Sequence, residues 1–399
     1  MPYYQRVGEV PPKRHTQFRT PSGGLYAEEL MGSDGFSAAS SLLYHRRPPT
    51  ALVGAETVAS ADEDLRPNEP LLPHHLRTDD AAGGGDLVTG RRVLLANEDV
   101  RLAVARPDGP SGLYRNATGD ELVYLRTGAA RLESSFGALD ARAGDYVVVP
   151  TGTTHRWIPA AGEPVQALVL EARGHVGPPE RYLSPQGQFL EHSPYCERDL
   201  HAPDEPLVVA DGDEPADVLV RQRDGLTRYR YAHHPFDVVG WDVCLYPYRL
   251  SIHDFEPVTG RVHQTSPVHQ TFAGPHFVVC SFVPRKLDYH PLAIPTPYNH
   301  ANVDCDEVLY YCAGDFTSRK GAGIAAGSIT LHPGGFVHGP QPGSVEAGIG
   351  QERTDELAVM LDTFRPLALA GAARACDDPD YPWTWAGGRR DQPSPTASS

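Results

Sequence analysis

The chain has 399 residues, 40% of them hydrophobic, and 51 acidic against 35 basic side chains leave a formal net charge of −16. That length can bury a substantial core and admits two or three domain-sized units, while the charge repels phosphate backbones and anionic membrane surfaces, which excludes nucleic acid as an expected partner. No stretch approaches a membrane span, the N-terminus lacks an apolar signal core, and six cysteines without a C-x-x-C pair form neither a disulfide framework nor a zinc site, so a reduced cytoplasm is expected.

Taken in chain order, residues 1–90 read as an irregular arm and linker. Within them the segment from about Glu56 to Gly85, with "DEDLRPNEPLLPHHLRTDDAAGGGD", is polar, rich in Pro and Gly, and free of strand or helix periodicity. Short runs of Val, Leu, Tyr and Phe bounded by Gly, Pro and Asp then recur as "ELVYLRTG", "DYVVVPTG", "FDVVGWDVCLYPY", "HFVVCSFVP", "EVLYYCAG" and "SITLHPGG". Punctuated by 39 Gly and 38 Pro, these runs predict an all-β sandwich or barrel. The ending "GGRRDQPSPTASS" reads as a frayed tail.

The runs repeat. Glu121, Gly128, Gly144, Pro150, Gly152 and His155 match Glu307, Gly314, Gly327, Pro333, Gly335 and His338 in order and nearly in spacing. This is the layout of the two-part cupin signature. The fold expected is all-β, with two cupin-type (double-stranded β-helix, jelly-roll) barrels: residues 91–205 without metal and 206–370 catalytic, followed by a tail over 371–399.

The second copy concentrates the chemistry. "PYNHANVDCDEVLYYCAG", Pro297 to Gly314, places His300 and Asn302 on one face of a strand, with Glu307 on the neighbouring strand and His338 on a third. Two imidazoles and one carboxylate form the facial triad that suits non-haem Fe(II), although ligand type alone leaves manganese, nickel and zinc open. A single histidine is more often a satisfied core residue; two histidines and a glutamate at three matched motif positions are not so easily dismissed. Asp306 is a rival to Glu307, but Glu307 aligns with Glu121, so Asp304 and Asp306 read as turn formers bonding the local backbone. In the first copy Tyr114 stands where the second has His300 and Asn116 where it has Asn302, so Glu121 and His155 are expected to make hydrogen bonds and hold no metal.

"GGLYAEELMGSDGFSAASSLLYHRRPP", "FDVVGWDVCLYPYRLSIHDF", "GRVHQTSPVHQTF", "FVPRKL", "PYNHANVDCDE" and "LHPGGFVHGP" occur in the order of the homogentisate 1,2-dioxygenase family, and the chain resembles that family from about Gly24 to Pro366. The resemblance implies a bicupin that uses Fe(II) and O2 to open homogentisate, a hydroquinone bearing an acetate group, to maleylacetoacetate in tyrosine and phenylalanine breakdown. It implies His300, Glu307 and His338 as iron ligands, His263 as acid/base, Tyr298 and His332 as pocket residues, and a hexamer. An acetate group needs a cation, for which Arg285 in "FVPRKL" and Arg249 in "YPYRL" are the candidates. His233, His234, His269 and His276 are expected to be solvated or packed.

Two departures from the family pattern stand out. Six residues separate His300 from Glu307 where five are expected, and Phe316 replaces a pocket tyrosine, which takes a hydroxyl from the expected pocket wall. Besides homogentisate, another hydroquinone such as gentisate remains open as substrate. A metal-dependent cupin isomerase and a non-catalytic bicupin are the alternatives from other classes.

Overall fold

The computed structural model of the chain describes residues 3–60, 63–80, 84–209, 212–222, 225–319 and 322–387. The fold is largely β-sheet and cupin-like, and it divides into two compact units. The first takes in residues 1–64, 82–256 and 271–277, the second 65–81, 257–270 and 278–399. These boundaries differ from the breaks expected at 90, 205 and 370.

Much of the expected arm is sheet. Gln5–Gly8, Val238–Val243, Ser40–His45 and Ala27–Gly32 pair in that order in the first unit, and Leu52–Val58 extends another sheet by pairing with Gly225–Tyr231. His74–Arg77 is an edge strand of the second unit, paired with Ser328–His332. Nothing in "PHHLRT" advertises a strand; the ladder itself supplies the backbone partners. Part of the "DEDL…GGGD" linker and the tail from Gly388 onward lie outside the described residues.

Two larger sheets build the first unit. One runs Gly137–Arg142, Ala129–Ser134, His155–Pro159, Leu113–Asn116, Ala216–Gln222, Gly225–Tyr231 and Leu52–Val58; the other has Asp145–Val149, Glu121–Thr127 and Gln166–Ala172 at its centre. Tyr114, Val123, Leu132, Val147, Trp157 and Val169 come from both and form one core cluster. Every residue of Asp145–Val149 is buried, which is why "DYVVV" shows no polar alternation. In the second unit Asp306–Ala313 lies between Ser328–His332 and Leu357–Thr363, with Leu309, Tyr311, Met360 and Cys280 packed together. Among the described residues the strand orders are those of several sheets in a cupin-like arrangement, and no ladder closes either of the two expected barrels. Among the described residues no helix is long and apolar enough to cross a membrane.

The repeat extends to backbone detail. Gly152 and Gly335 have φ of +81° and +80°, and Gly128 and Gly314 have +71° and +88°, the left-handed region that glycine enters without steric cost. A Cβ on Gly314 would stand 1.8 Å from Asp355 O. Gly152 N–H donates to Asn116 O at 2.8 Å and Gly335 N–H to Asn302 O at 2.6 Å; Gly144 N–H reaches Leu125 O and Gly327 N–H reaches Tyr311 O, both at 2.7 Å.

The aspartate before each glutamate belongs to the repeat too. Asp120 accepts backbone N–H groups from Thr151 at 2.8 Å and Val176 at 2.9 Å, and Asp306 accepts from Gly334 and Leu367, both at 2.8 Å. Asp306 is therefore a long-range clamp between strand ends, which corrects the expectation of a local turn former; Asp304 is exposed.

Candidate metal centre and cavity

Prolines at 284, 291, 295 and 297 keep the segment before the site out of any long ladder, because each removes a backbone donor. His300 does not lie on a strand as expected, nor does His338. They meet as one isolated antiparallel bridge, with His300 N–H donating to His338 O at 2.7 Å and His338 N–H to His300 O at 2.8 Å. Glu307, second in the strand Asp306–Ala313, completes the group. Tyr114 and His155 are the register pair that corresponds to His300 and His338 in the first unit.

The ligand atoms of His300, Glu307 and His338 all lie within 4.8 Å of one another. His338 Nε2 is 3.2 Å from Glu307 Oε1 and His300 Nε2 is 3.5 Å from Glu307 Oε2. His338 Nδ1–H donates to Phe336 O at 3.0 Å, which leaves the Nε2 lone pair for a cation. Burial would raise the Glu307 carboxyl, but the surrounding imidazoles of His300, His332 and His338 hold it well below the usual carboxylate range.

A second carboxylate, Asp362, is the register partner of Glu307. Its Oδ1 is buried without a hydrogen-bond partner, and burial, then the charges of Glu307 and Asp304, push the group up to about 8. Among the described residues only imidazoles make ion-pair contacts with Glu307, and none is made with Asp362. Two histidines, a glutamate and a neighbouring carboxyl that keeps its proton for want of a cation fit a divalent metal ion.

His332 sits behind this group and is not among the residues that line the adjoining cavity. It is fully buried on the strand position facing Glu307, its Nδ1 is 2.9 Å from Glu307 Oε1, and its ring stacks on His338 at 4.1 Å. Tyr381, in the stretch expected to be tail, has its hydroxyl 2.9 Å from His332 Nε2. Burial, then the Arg319 charge, pushes His332 down to about 3, so the ring is neutral: Tyr381 O–H donates to Nε2 and Nδ1–H donates to Glu307.

A cavity of ≈ 150 Å³ opens onto His300 and Glu307. A dry cavity of about that size takes up benzene. Its walls include His263 and Tyr298, whose Nε2 and hydroxyl are 3.1 Å apart, and the Tyr298 ring stands edge-on to His300 at 5.7 Å. His263 Nδ1 faces Asp288 Oδ2 at 3.6 Å, and burial together with the Arg285 charge lowers the imidazole below its ordinary value against the pull of Asp288. His269, expected only as packing, also lines the cavity; burial, then Arg285 and His263, push it down to about 3.

Two arginines reach the cavity wall. Arg285 donates to Val283 O at 3.1 Å and lies over the Phe282 ring; buried Arg319 donates from Nε to Tyr311 OH at 3.2 Å and lies over Trp385. Neither has a carboxylate within ion-pair distance among the described residues. Glu356 shares the wall, and its carboxyl is raised by burial despite both arginines. Arg319 was hidden in "TSRKGAGIAAGS", which reads as a surface loop.

Two further expectations are corrected. Arg249 is in the first unit, 3.6 Å from buried Asp145, and takes no part in this cavity. Phe316 packs against Tyr311 at 5.0 Å in the core cluster of the second unit and is not a cavity wall, so the missing hydroxyl changes packing there.

Fold and site define the class: a cupin-like protein with a two-histidine, one-carboxylate metal position of the kind that non-haem oxygenases use. A protein of Saccharolobus solfataricus, SSO1533, whose name assigns it provisionally to the dioxygenases, is 38% identical over 96% of this chain and 99% of its own length, and the chain belongs to its family. A family model described as homogentisate 1,2-dioxygenase N-terminal matches residues 100–252. Homogentisate 1,2-dioxygenase of Emericella nidulans is 26% identical over 84% of this chain and 78% of its own, so the family is related to the homogentisate dioxygenases at a distance. A cupin 2 conserved barrel domain protein from Leptotrichia buccalis covers 73% of this chain and 96% of its own at 9% identity and a TM-score of 0.30.

Proposed function

We propose that the chain is an Fe(II)-dependent dioxygenase that opens the ring of a carboxylated hydroquinone, with homogentisate the first candidate and maleylacetoacetate its product. The observation that carries this reading is a ring-sized cavity bounded at one end by His300 and Glu307, with two arginines on its wall that no carboxylate among the described residues reaches at ion-pair distance, although Glu356 shares that wall. A buried or half-buried guanidinium without a counter-ion is costly, and a substrate carboxylate supplies one. Iron(II) held by His300, Glu307 and His338 would supply the common point at which O2 and an aromatic diol meet, and would relay electrons from the ring, which is oxidised, to O2.

The remaining work falls to side chains of this chain. His263, neutral and on the cavity wall, accepts the phenolic proton at Nε2 as substrate binds, while Asp288 faces its Nδ1. Arg285 and Arg319 orient the carboxylate, and Phe282, Leu309 and Met360 keep water from the ring. The test is anaerobic loading with Fe(II) and substrate followed by air. Oxygen uptake with a new ring-opened chromophore is expected for homogentisate in preference to gentisate and plain hydroquinone. Turnover without oxygen uptake, or a preference for an uncharged ring, would overturn the reading.

A further inference from the structure

In the first unit a side chain occupies the position that matches the metal centre. Arg91, 4% exposed, donates to both oxygens of Glu121 at 2.8 Å and to Glu171 Oε1 at 2.7 Å. Glu121 and Glu171 are register partners, as Glu307 and Asp362 are. The Tyr114 ring, at the place of His300, lies 5.5 Å from the guanidinium. His155 is set as His338 is: its Nδ1–H donates two residues back, to Thr153 O at 3.1 Å, and its Nε2 faces Glu121 Oε2 at 3.8 Å. That Nε2 is fully buried and has no hydrogen-bond partner.

An imidazole lone pair aimed at a pair of buried carboxylates is the donor set of a mononuclear cation site, and the guanidinium supplies the charge an ion would bring. We propose that Glu121, Glu171 and His155 form a second divalent-cation site in the first unit, closed in the native chain by Arg91 and opened when Arg91 is removed. Its donors, two carboxylate oxygens and one nitrogen, suit first-row divalent ions such as Co2+, Mn2+ and Fe2+. An ion held at about 2.0–2.2 Å from each donor asks the carboxylates to close in from the present hydrogen-bond distances by well under an ångström. Arg101 Nε at 3.4 Å and Arg221 Nε at 3.5 Å hold the other oxygen of Glu171, which leaves Oε1 for the ion. A mere ion-pair clamp makes the opposite forecast, because loss of Arg91 then strands Glu121 alone and no ion repairs it.

The experiment counts Co2+ bound by the full-length native chain, R91A, and R91A combined with H155A, using equilibrium dialysis and the visible absorption of the ion. R91A is expected to bind one equivalent more than the native chain, whatever the second unit binds, and to gain more thermal stability from Co2+ than the native chain does. Adding H155A should weaken that extra equivalent at least about tenfold. No extra uptake by R91A, whether because it ignores the ion or because it stays unfolded with Co2+ present while R91K folds, overturns the proposal. Uptake indifferent to H155A overturns it as well.

Discussion

His332 donates Nδ1–H to Glu307 Oε1 at 2.9 Å from the register position directly across the ladder. Its own Nε2 is held by the Tyr381 hydroxyl, so the carboxylate at the centre of the site is steered from behind by a chain that never meets the cavity. Partners of this kind change metal affinity by roughly 10–100-fold when removed. His332→Leu should weaken Co2+ or Fe2+ binding by that order in a direct titration, and unchanged affinity would remove His332 from the site's support.

His263 should separate metal binding from turnover. In His263→Gln the metal content is expected to match the native chain, while the ring-opening rate falls by roughly 10²–10⁴, the range of general acid–base help. Because burial and Arg285 lower this imidazole, the acidic limb of kcat/KM should lie below pH 6.5 and disappear in the variant. Loss of bound metal in His263→Gln would contradict this assignment.

The two arginines that the sequence offered for the substrate carboxylate differ in what their loss should do, since only Arg285 lines the cavity. Arg285→Met should raise KM for homogentisate by about 10–100-fold, the worth of a hydrogen bond to a charged group, and leave plain hydroquinone nearly unaffected. Arg249→Met, whose partner is Asp145 in the first unit, should leave the ratio of the two KM values alone. Steady-state kinetics with both substrates reads the difference.

His45 makes the first unit's stability depend on pH. Its Nδ1 is 2.7 Å from Asp237 and its Nε2 2.9 Å from Glu29; burial opposes the charged form, but the two carboxylates win and raise the group to about 9. A folded-state value above the unfolded one stabilises fully below about pH 6.5 and is lost as pH rises through about 9. Urea midpoints should therefore fall between those limits by an amount equivalent to roughly 1–3 kcal/mol, and His45→Gln should flatten that slope. An identical slope in the variant would rule the imidazolium out as its source.

The repeat and the three clustered donors were legible because both rest on residue types with narrow physical jobs. Glycines at 128, 152, 314 and 335 all take positive φ, where other residues are strained. Glu307 and His338 were found by matching Glu121 and His155. Asp120 and Asp306 carry the same signal, since each immediately precedes its glutamate, but a carboxylate whose partners are distant backbone N–H groups has no local signature. The strand at His74–Arg77 escaped for a related reason, because an edge strand bonded to Ser328–His332 needs no apolar alternation of its own.

By itself the sequence determined the β architecture, its internal duplication and the identity of the His/His/Glu set, because turn geometry and ligand chemistry are written in single residues and their spacing. Only the tertiary structure decided which carboxylates pair across a ladder and which groups face them. Arg91, Asp362, His332 and Arg319 take their parts from strand register and burial, which bring together groups far apart in the chain, and a charge out of water is defined by what is packed around it.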